Sequence, residues 1–324
     1  MGALGTEPAP PEGEAMVRAN GINLCYQSLG DPGAPVILLI MGLGMQLIAW
    51  PDAFCTSLVE RGFRVIRFDN RDVGHSTHVV WGQRPRVLLA VARGVLGLPV
   101  RSPYRLSDMA DDAIGLLDAL QVERAHVVGA SMGGMIGQCM AARHPARLLS
   151  LTSIMSGSGN WRVACGRPAV LRQILRRPAR PDDPASQVDH LMRLFGVIGS
   201  PGFSTDQAEL RRQLERGVGR ALYPVGPYQQ LLAIVAAGDR RRELARIRVP
   251  TLVIHGADDP LLPVAAGRET ARYIAGARLQ VIQGMGHDLP PGVQALLLEG
   301  IVSHCRGADK AGAGAAGARA EQEA

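Results

Sequence analysis

The sequence predicts an α/β fold in which helices cover both faces of one mostly parallel, eight-stranded sheet, with an all-helical cap inserted late in the chain. Short apolar runs alternate with segments of helical periodicity, and this alternation favours parallel pairing with helices on both faces. Glycine-bearing polar turns follow three of the apolar runs, at residues 129–133, 255–260 and 284–288. The length of 324 residues and the hydrophobic content of 47% suit one such domain with a cap.

The strands and helices can be assigned in chain order from these patterns. The first two strands should pair antiparallel, because Asn20-Gly21 favours a tight hairpin turn. Ser107 and the acidic residues after it predict the start of a helix. The predicted strands cover residues 16–28 as a pair, 35–40, 64–68, 125–129, 148–154 and the runs that begin at 251 and 279, and the predicted helices cover 53–60, 107–120, the segment up to 143, and 292–304.

Composition divides the chain into a core, a cap and two tails. Apolar residues recur about every 3.6 positions through the cap, which predicts helices there. One end of the chain is rich in Pro and Glu and the other in Ala and Gly, and both compositions predict disorder. The predicted bounds are 16–155 and 247–306 for the core, 156–246 for the cap, and 1–15 and 307–324 for the disordered tails.

The turn Gly129-Ala130-Ser131-Met132-Gly133 is the most informative motif. It follows an apolar run and precedes a small-residue segment, which predicts a strand, a sharp turn and a helix. A Gly-x-Ser-x-Gly turn in this context exposes the serine Oγ above the sheet. Glycine is needed on either side, because a Cβ there would collide with the neighbouring strand or helix. Ser131 is therefore the candidate nucleophile.

A serine nucleophile needs a histidine base and a carboxylate that orients the histidine. The apolar run 251–254 leads into Asp258 and Asp259, and the run 279–282 leads into a glycine-flanked loop that presents His287. Catalytic groups in α/β sheets lie at the carboxyl ends of strands. The pattern thus predicts His287 as the base, and either of the two aspartates as the acid.

Several segments together resemble the α/β-hydrolase superfamily, in its serine carboxylesterase branch. The chain is similar to bacterial carboxylesterases and to the methyl esterases of anthracycline biosynthesis, from about residue 17 to about residue 306. The segments that carry the resemblance are Ile40-Met41-Gly42-Leu43-Gly44 with Trp50-Pro51, the run from Arg67 to Thr77, the serine turn, and Gly284-Met285-Gly286-His287.

The resemblance implies a Ser-His-Asp triad and an oxyanion hole. The family pattern His-Gly-x-x-Asp-Pro places the acid directly before Pro260, which favours Asp259 and keeps Asp258 as the fallback. The oxyanion would be held by the backbone N–H groups of Leu43 and Met132. The family loop normally begins His-Gly, whereas this chain has Met41-Gly42, so a side chain often found beneath the site is missing.

The cap and the insertion at residues 77–104 are expected to roof the serine and to shape the substrate pocket. Their apolar residues favour a hydrophobic acyl or alcohol group. The candidate substrate contacts are Trp50, Met192, Phe195 and Leu231. Arginines in the cap, such as Arg176, form either a solvated helical surface or a patch that steers an anionic substrate.

The overall composition argues against several other classes of protein. The formal net charge is +6, but it comes from arginine with a single lysine and without interleaved aromatic residues, which disfavours nucleic-acid binding. Five scattered cysteines and the absence of a secretion signal favour a reduced, cytoplasmic protein. The longest apolar segment, residues 87–100, is too short to span a membrane. No metal-ligand spacing occurs, so no metal and no cofactor are expected, and the protein should be a monomer or a homodimer.

The function predicted from the sequence is hydrolysis of a small carboxylic ester with water through an acyl-enzyme. Three alternatives stay open. One is an enol-lactone or carbon–carbon bond hydrolase with the same triad, a second is a perhydrolase or haloperoxidase-like activity, and the third is a non-catalytic ligand receptor. Epoxide hydrolase and dehalogenase activities are disfavoured, because they need an aspartate where Ser131 stands.

Overall fold

A computed structural model of the protein describes residues 13–83 and 86–323, with side chains as far as residue 311. The strands are β1 Ala15–Ala19, β2 Ile22–Leu29, β3 Val36–Ile40, β4 Arg64–Phe68, β5 Ala125–Ala130, β6 Leu148–Ile154, β7 Thr251–Gly256 and β8 Arg278–Ile282. The helices are α1 Asp52–Val59, α2 Val87–Val95, α3 Leu106–Ala119, α4 Met132–Arg143, α5 Trp161–Ala164, α6 Pro168–Leu175, α7 Pro184–Ile198, α8 Gln207–Arg220, α9 Gly226–Ala237, α10 Arg241–Leu244, α11 Val264–Tyr273 and α12 Pro291–Glu323.

The eight strands form one sheet in the order β1-β2-β4-β3-β5-β6-β7-β8. The pairs β1–β2 and β2–β4 are antiparallel, and every later pair is parallel. The prediction of a mostly parallel eight-stranded sheet is therefore confirmed. The carboxyl ends of β5, β7 and β8 consequently lie at the same edge of the sheet.

Alternate side chains of the central strands enter two separate cores. Leu38 and Ile40 pack with α3 and α4 on one face, while Ile37 and Leu39 pack with α1 and α12 on the other. All five residues of β3 are buried, as expected for a strand covered by helices on both sides. The continuous apolar runs of the sequence are thus explained by two-sided burial.

The parts of the two predicted disordered tails that the structure describes, residues 13–15 and 307–323, have defined backbone structure. Ala15 begins β1, and Glu14 forms a buried ion pair of 2.6 Å with Arg220, while residues 1–12 lie outside the described part of the chain. At the other end α12 continues to Glu323, so residues 307–323 are helical. Alanine has the highest helix propensity, and elongation of a helix that is already docked carries no nucleation cost.

Six helices, α5 to α10, lie between β6 and β7, in the segment for which we predict a cap. Arg220, at the end of α8, connects this segment to the rest of the protein. Its guanidinium contacts Asp69 at 2.7 Å and the side chain of Gln46 at 2.6 Å, besides Glu14. One buried arginine therefore joins this segment to the residue before β1 and to the loops that follow β3 and β4. In the described part of the chain, no helix is both long and apolar enough to cross a membrane.

Neutral His304 connects α12 to the sheet by hydrogen bonds. Its Nε2 lies 3.2 Å from the carbonyl oxygens of Leu151 and Pro250, and Arg278 donates to its Nδ1 at 3.1 Å. Nε2 therefore carries the proton and Nδ1 accepts. Burial, together with the Arg278 charge, lowers the pKa of His304 to about 4.

The depressed pKa of His304 should make the protein lose stability on acidification. The unfolded chain takes up the imidazole proton near pH 6.5, but the folded protein does so only near pH 4, so the free energy of unfolding falls as the pH drops through this window. The His304 contribution amounts to at most about 3 kcal/mol. The free energy of unfolding, measured by urea denaturation at several pH values, should fall less steeply between pH 6.5 and 4 in His304→Gln than in the wild type. An equally steep fall in the two proteins would contradict this account.

Candidate active site

Ser131 lies in the sharp turn between β5 and α4, with φ 54° and ψ −116°. A positive φ is strained for any residue with a Cβ and costs about 1–3 kcal/mol. Neighbouring backbone compensates for this strain, because the Ser131 N–H donates to the carbonyl of Ile154 at 2.8 Å. A Cβ on Gly129 would lie 2.2 Å from the Gly133 oxygen, and one on Gly133 would lie 2.0 Å from the Ile40 oxygen. Both motif glycines are therefore required by close backbone packing.

The side chains of Ser131, His287 and Asp259 form one continuous chain of polar contacts. Nε2 of His287 lies 2.9 Å from the Oγ of Ser131, and its Nδ1 lies 2.7 Å from Oδ2 of Asp259. The second oxygen of Asp259 accepts the N–H groups of Leu261 and Leu262 at 2.9 and 2.8 Å. The carboxylate is thus held in one orientation, with its free oxygen toward the imidazole.

Asp258, the other candidate acid, faces away from the histidine. It is exposed, and its Oδ2 accepts the backbone N–H of Gly284 at 2.9 Å. Asp259, in contrast, has a fully buried side chain. The two adjacent carboxylates contact different partners, so the same turn supplies one buried and one solvated carboxylate. The structure brings Asp259, and not Asp258, to His287.

A second histidine supports the turn that carries Asp259. Nε2 of His255 lies 2.7 Å from the carbonyl oxygen of Leu262 and 3.6 Å from Oδ2 of Asp259. Burial lowers the pKa of His255, so its imidazole stays neutral and donates to that carbonyl. His255 therefore braces the acid turn and leaves the closer contact with the carboxylate to His287.

The loop that presents His287 is held by the end of α7. The His287 N–H donates to the carbonyl of Ile198 at 2.7 Å. Ser200 accepts the N–H of Gly286 at 2.8 Å and donates its hydroxyl to Asp288 at 2.5 Å. Burial raises the pKa of Asp288. Sequence reasoning missed Ser200 and Asp288, since no local spacing connects two residues that lie 88 positions apart.

The loop after β3 passes directly beside the serine. A Cβ on Gly42 would lie 3.2 Å from the Cβ of Ser131, so a larger residue would push this loop a few tenths of an ångström away from the serine. Gly44, with φ 71°, donates its N–H to Oε1 of Gln230 at 2.7 Å. Leu43 lies between these two glycines and is half-buried. Buried Gln230, on α9, thus holds this loop and is a third residue that sequence reasoning missed.

Met132 begins α4 directly after the serine. The first N–H groups of a helix have no acceptor within the helix, and the helix dipole makes this end partially positive. Met132 and Leu43 therefore belong to two backbone segments that meet at Ser131. This is the arrangement expected of two donors that share one anionic oxygen.

The four predicted substrate contacts differ in how far they are buried. Trp50 is only 1% exposed and stacks on Phe54, with ring centroids 5.5 Å apart, in the core beneath the sheet. Its prediction as a substrate contact was wrong, because the start of α1 turns the indole into that core. Met192 and Phe195 on α7, and Leu231 on α9, are half-buried and keep accessible surface. Their contact with a substrate stays a prediction.

Among the residues that the structure describes, no group of three or more His, Cys, Asp or Glu side chains is arranged to hold a metal ion. Polar contacts satisfy the three site residues among themselves and with backbone groups. At the site itself, the hydroxyl oxygen of Ser131 lies next to a ring nitrogen of His287.

A mostly parallel sheet of this strand order, with a strained serine turn after β5 and a histidine after β8, defines the class of α/β hydrolases. The chain belongs to that family, since the family model for the alpha/beta hydrolase fold matches residues 35–290. It is 31% identical to rhodomycin D methylesterase of Streptomyces peucetius, over 90% of this chain and 98% of that protein. It is also 28% identical to 3-oxoadipate enol-lactonase 2 of Acinetobacter baylyi, over 82% and 86%.

Solved structures agree with this assignment. The enol-lactonase of Burkholderia xenovorans superposes with a TM-score of 0.66 at 25% identity, covering 90% of this chain and 99% of that one. A hydrolase of Pseudomonas aeruginosa superposes with a TM-score of 0.67, also at 25% identity, covering 91% and 98%. The similarity extends over nearly the whole length of both chains in each case.

Proposed function

We propose that this protein is a serine hydrolase that cleaves a carboxylic ester of a small, largely hydrophobic molecule. One observation carries the proposal: Ser131, His287 and Asp259 form an unbroken polar chain, with contacts of 2.9 and 2.7 Å. These distances lie within the range needed for proton transfer between a nucleophile and its base. The strained turn at Ser131 supports it, because such strain is found at functional sites.

In the first half of the reaction, Oγ of Ser131 attacks the ester carbonyl carbon while Nε2 of His287 accepts the hydroxyl proton. Asp259 stabilises the resulting imidazolium and keeps the ring oriented. The carbonyl oxygen becomes an oxyanion, which the N–H groups of Leu43 and Met132 bind. The carbon–oxygen ester bond then breaks, and the alcohol leaves with the proton from His287. The acyl group stays on Ser131.

In the second half, His287 takes a proton from water, and the hydroxide oxygen attacks the acyl carbon. The bond to Oγ breaks, the carboxylic acid leaves, and the proton returns from His287 to Ser131. The overall change is the hydrolysis of one ester to one acid and one alcohol, and no cofactor enters either step. Gln230 contributes by holding Gly44, and with it the Leu43 segment, against the serine.

The substrate class is proposed from the relatives and from the apolar residues that the sequence predicts as substrate contacts. Similarity to a methylesterase over nearly the full length of both chains supports an ester with a small alcohol group. The half-buried Met192, Phe195 and Leu231 would contact the acyl part through apolar surface, which favours a hydrophobic acid.

A second candidate is hydrolysis of an enol-lactone, which uses the same two steps on a cyclic ester. Similarity to 3-oxoadipate enol-lactonase 2 supports it. An anionic lactone would need cationic side chains near the site, and exposed Arg176 and Arg193 lie on the cap segment. The two candidates differ in charge and in the leaving group, so they can be separated by substrate choice.

The test is a comparison of substrates under identical conditions. We expect turnover of p-nitrophenyl acetate, butyrate and octanoate and of a methyl ester of a bulky aromatic acid, with the highest kcat/KM on an apolar acyl group. Turnover of 3-oxoadipate enol-lactone alone would favour the second candidate. Saturable binding of these compounds without turnover would reject catalysis and favour a ligand receptor.

A further inference from the structure

Residues 73–107, which contain α2, have an unusual balance of charge. The segment contains no aspartate or glutamate but has five arginines, against a formal net charge of +6 for the whole chain. The five arginines are Arg84, Arg86, Arg93, Arg101 and Arg105. An acid-free stretch of this length supplies no partner charges to its own arginines, which favours their contact with an external anion.

Large apolar side chains are exposed on the same segment. Val80, Leu88 and Leu96 are 93, 71 and 72% exposed, and Leu89, Val95 and Leu98 are exposed as well. Of the eleven large hydrophobic residues that are exposed within the described part of the protein, six lie in this segment. Exposed apolar residues that are scattered singly need no explanation, whereas a cluster indicates an interaction surface.

The opposite face of α2 is bound to the protein. Val87 and Ala90 are buried, and a Cβ on Gly94 would lie 2.8 Å from a methyl group of Val235 on α9. The helix is therefore held in place by its inner face while its outer face presents leucines to solvent. Because α9 also carries Gln230, which binds the loop beside Ser131, the exposed face lies one helix away from the candidate active site.

We propose that α2 and the loop that follows it, residues 86–101, bind the surface of an anionic lipid membrane. The exposed leucines would enter the boundary between headgroups and acyl chains, and the arginines would contact the lipid phosphates. Interfacial helices combine these two features, an apolar face and basic residues without acids. An anionic lipid surface can both bury the leucines and supply negative charge to the arginines. A purely apolar protein partner would bury the leucines but leave the arginines without a negative partner. This inference goes beyond ester hydrolysis and does not depend on it.

The experiment is co-sedimentation of the full chain with phosphatidylcholine vesicles, with and without phosphatidylglycerol. The wild-type protein should bind the vesicles that contain phosphatidylglycerol and lose most of that binding at high salt, which screens the arginine–phosphate attraction. Leu88→Asn with Leu96→Asn should weaken binding at least about tenfold, because two leucines no longer gain burial. Arg86→Gln with Arg101→Gln should weaken it about tenfold or more.

Matched control variants separate these effects from a general loss of apolar surface or charge. Leu279→Asn with Leu296→Asn changes two leucines that are 38 and 36% exposed outside the segment, and should bind as the wild type does. Arg242→Gln with Arg246→Gln removes the same charge from exposed positions elsewhere. Circular dichroism melts of all four variants establish that each is folded, so that lost binding can be attributed to the surface.

Three results would overturn the proposal. The first is absence of wild-type binding to the phosphatidylglycerol vesicles. The second is equal binding by the wild type and the variant altered at Leu88 and Leu96. The third is a wild-type dimer in sedimentation velocity that this variant dissociates, without vesicle binding, which would assign the face to a second copy of the chain.

Discussion

Replacement of Ser131 by alanine should lower kcat/KM for ester hydrolysis by about four to six orders of magnitude, because removal of the nucleophile leaves only substrate binding and the oxyanion donors. The fold should be retained. Alanine keeps the Cβ that the turn already accommodates at φ 54°, and the backbone bond to Ile154 is unaffected. Initial rates with p-nitrophenyl butyrate and a thermal melt of each protein give the two readouts.

Ser303→Ala is the matched control for this variant. Ser303 is exposed on α12, so loss of its hydroxyl should leave both rate and melting temperature unchanged. If Ser131→Ala kept a tenth or more of the wild-type rate, the hydrolysis would have to use a different nucleophile. If the melting temperature fell in Ser131→Ala but not in Ser303→Ala, the lost rate would reflect unfolding instead of the missing nucleophile.

The second large effect is expected from the two adjacent aspartates. Asp259→Asn should reduce kcat about 10³- to 10⁴-fold, because an amide beside Nδ1 does not stabilise the imidazolium and can favour the wrong tautomer of His287. Asp258→Asn should stay close to wild type, since the amide oxygen still accepts the Gly284 N–H. The two variants change the same functional group at neighbouring positions, so each is the control for the other.

Steady-state rates with p-nitrophenyl butyrate, measured across a range of pH, show which aspartate orients His287. A large loss in Asp258→Asn together with near-normal activity in Asp259→Asn would overturn the assignment of the acid. Comparable losses in both would point to a distorted turn. Because buried Asp259 also accepts the Leu261 and Leu262 N–H groups, its variant should be checked by denaturation for a loss of stability.

The location of Ser131 could be predicted from the sequence because its requirements are local. A strand, a turn and a helix, with Gly129 and Gly133 on either side of the serine, are encoded within about a dozen residues. His287 and the acid turn could be placed because strand ends in a parallel sheet meet at one edge. The choice between the aspartates, however, rested on family resemblance, since spacing alone allowed either one.

The sequence by itself determined the strand and helix order, the parallel sheet, and the residue types that converge at its edge. Only the tertiary structure decided which side chains meet there. In the folded protein Trp50 lies in the core, Asp259 contacts His287, and Asp258 faces solvent. Ser200 and Gln230 bind the two loops beside the serine. Periodicity and turn chemistry act over a few neighbouring residues, whereas these contacts join segments far apart in the chain, and their partners are set by packing.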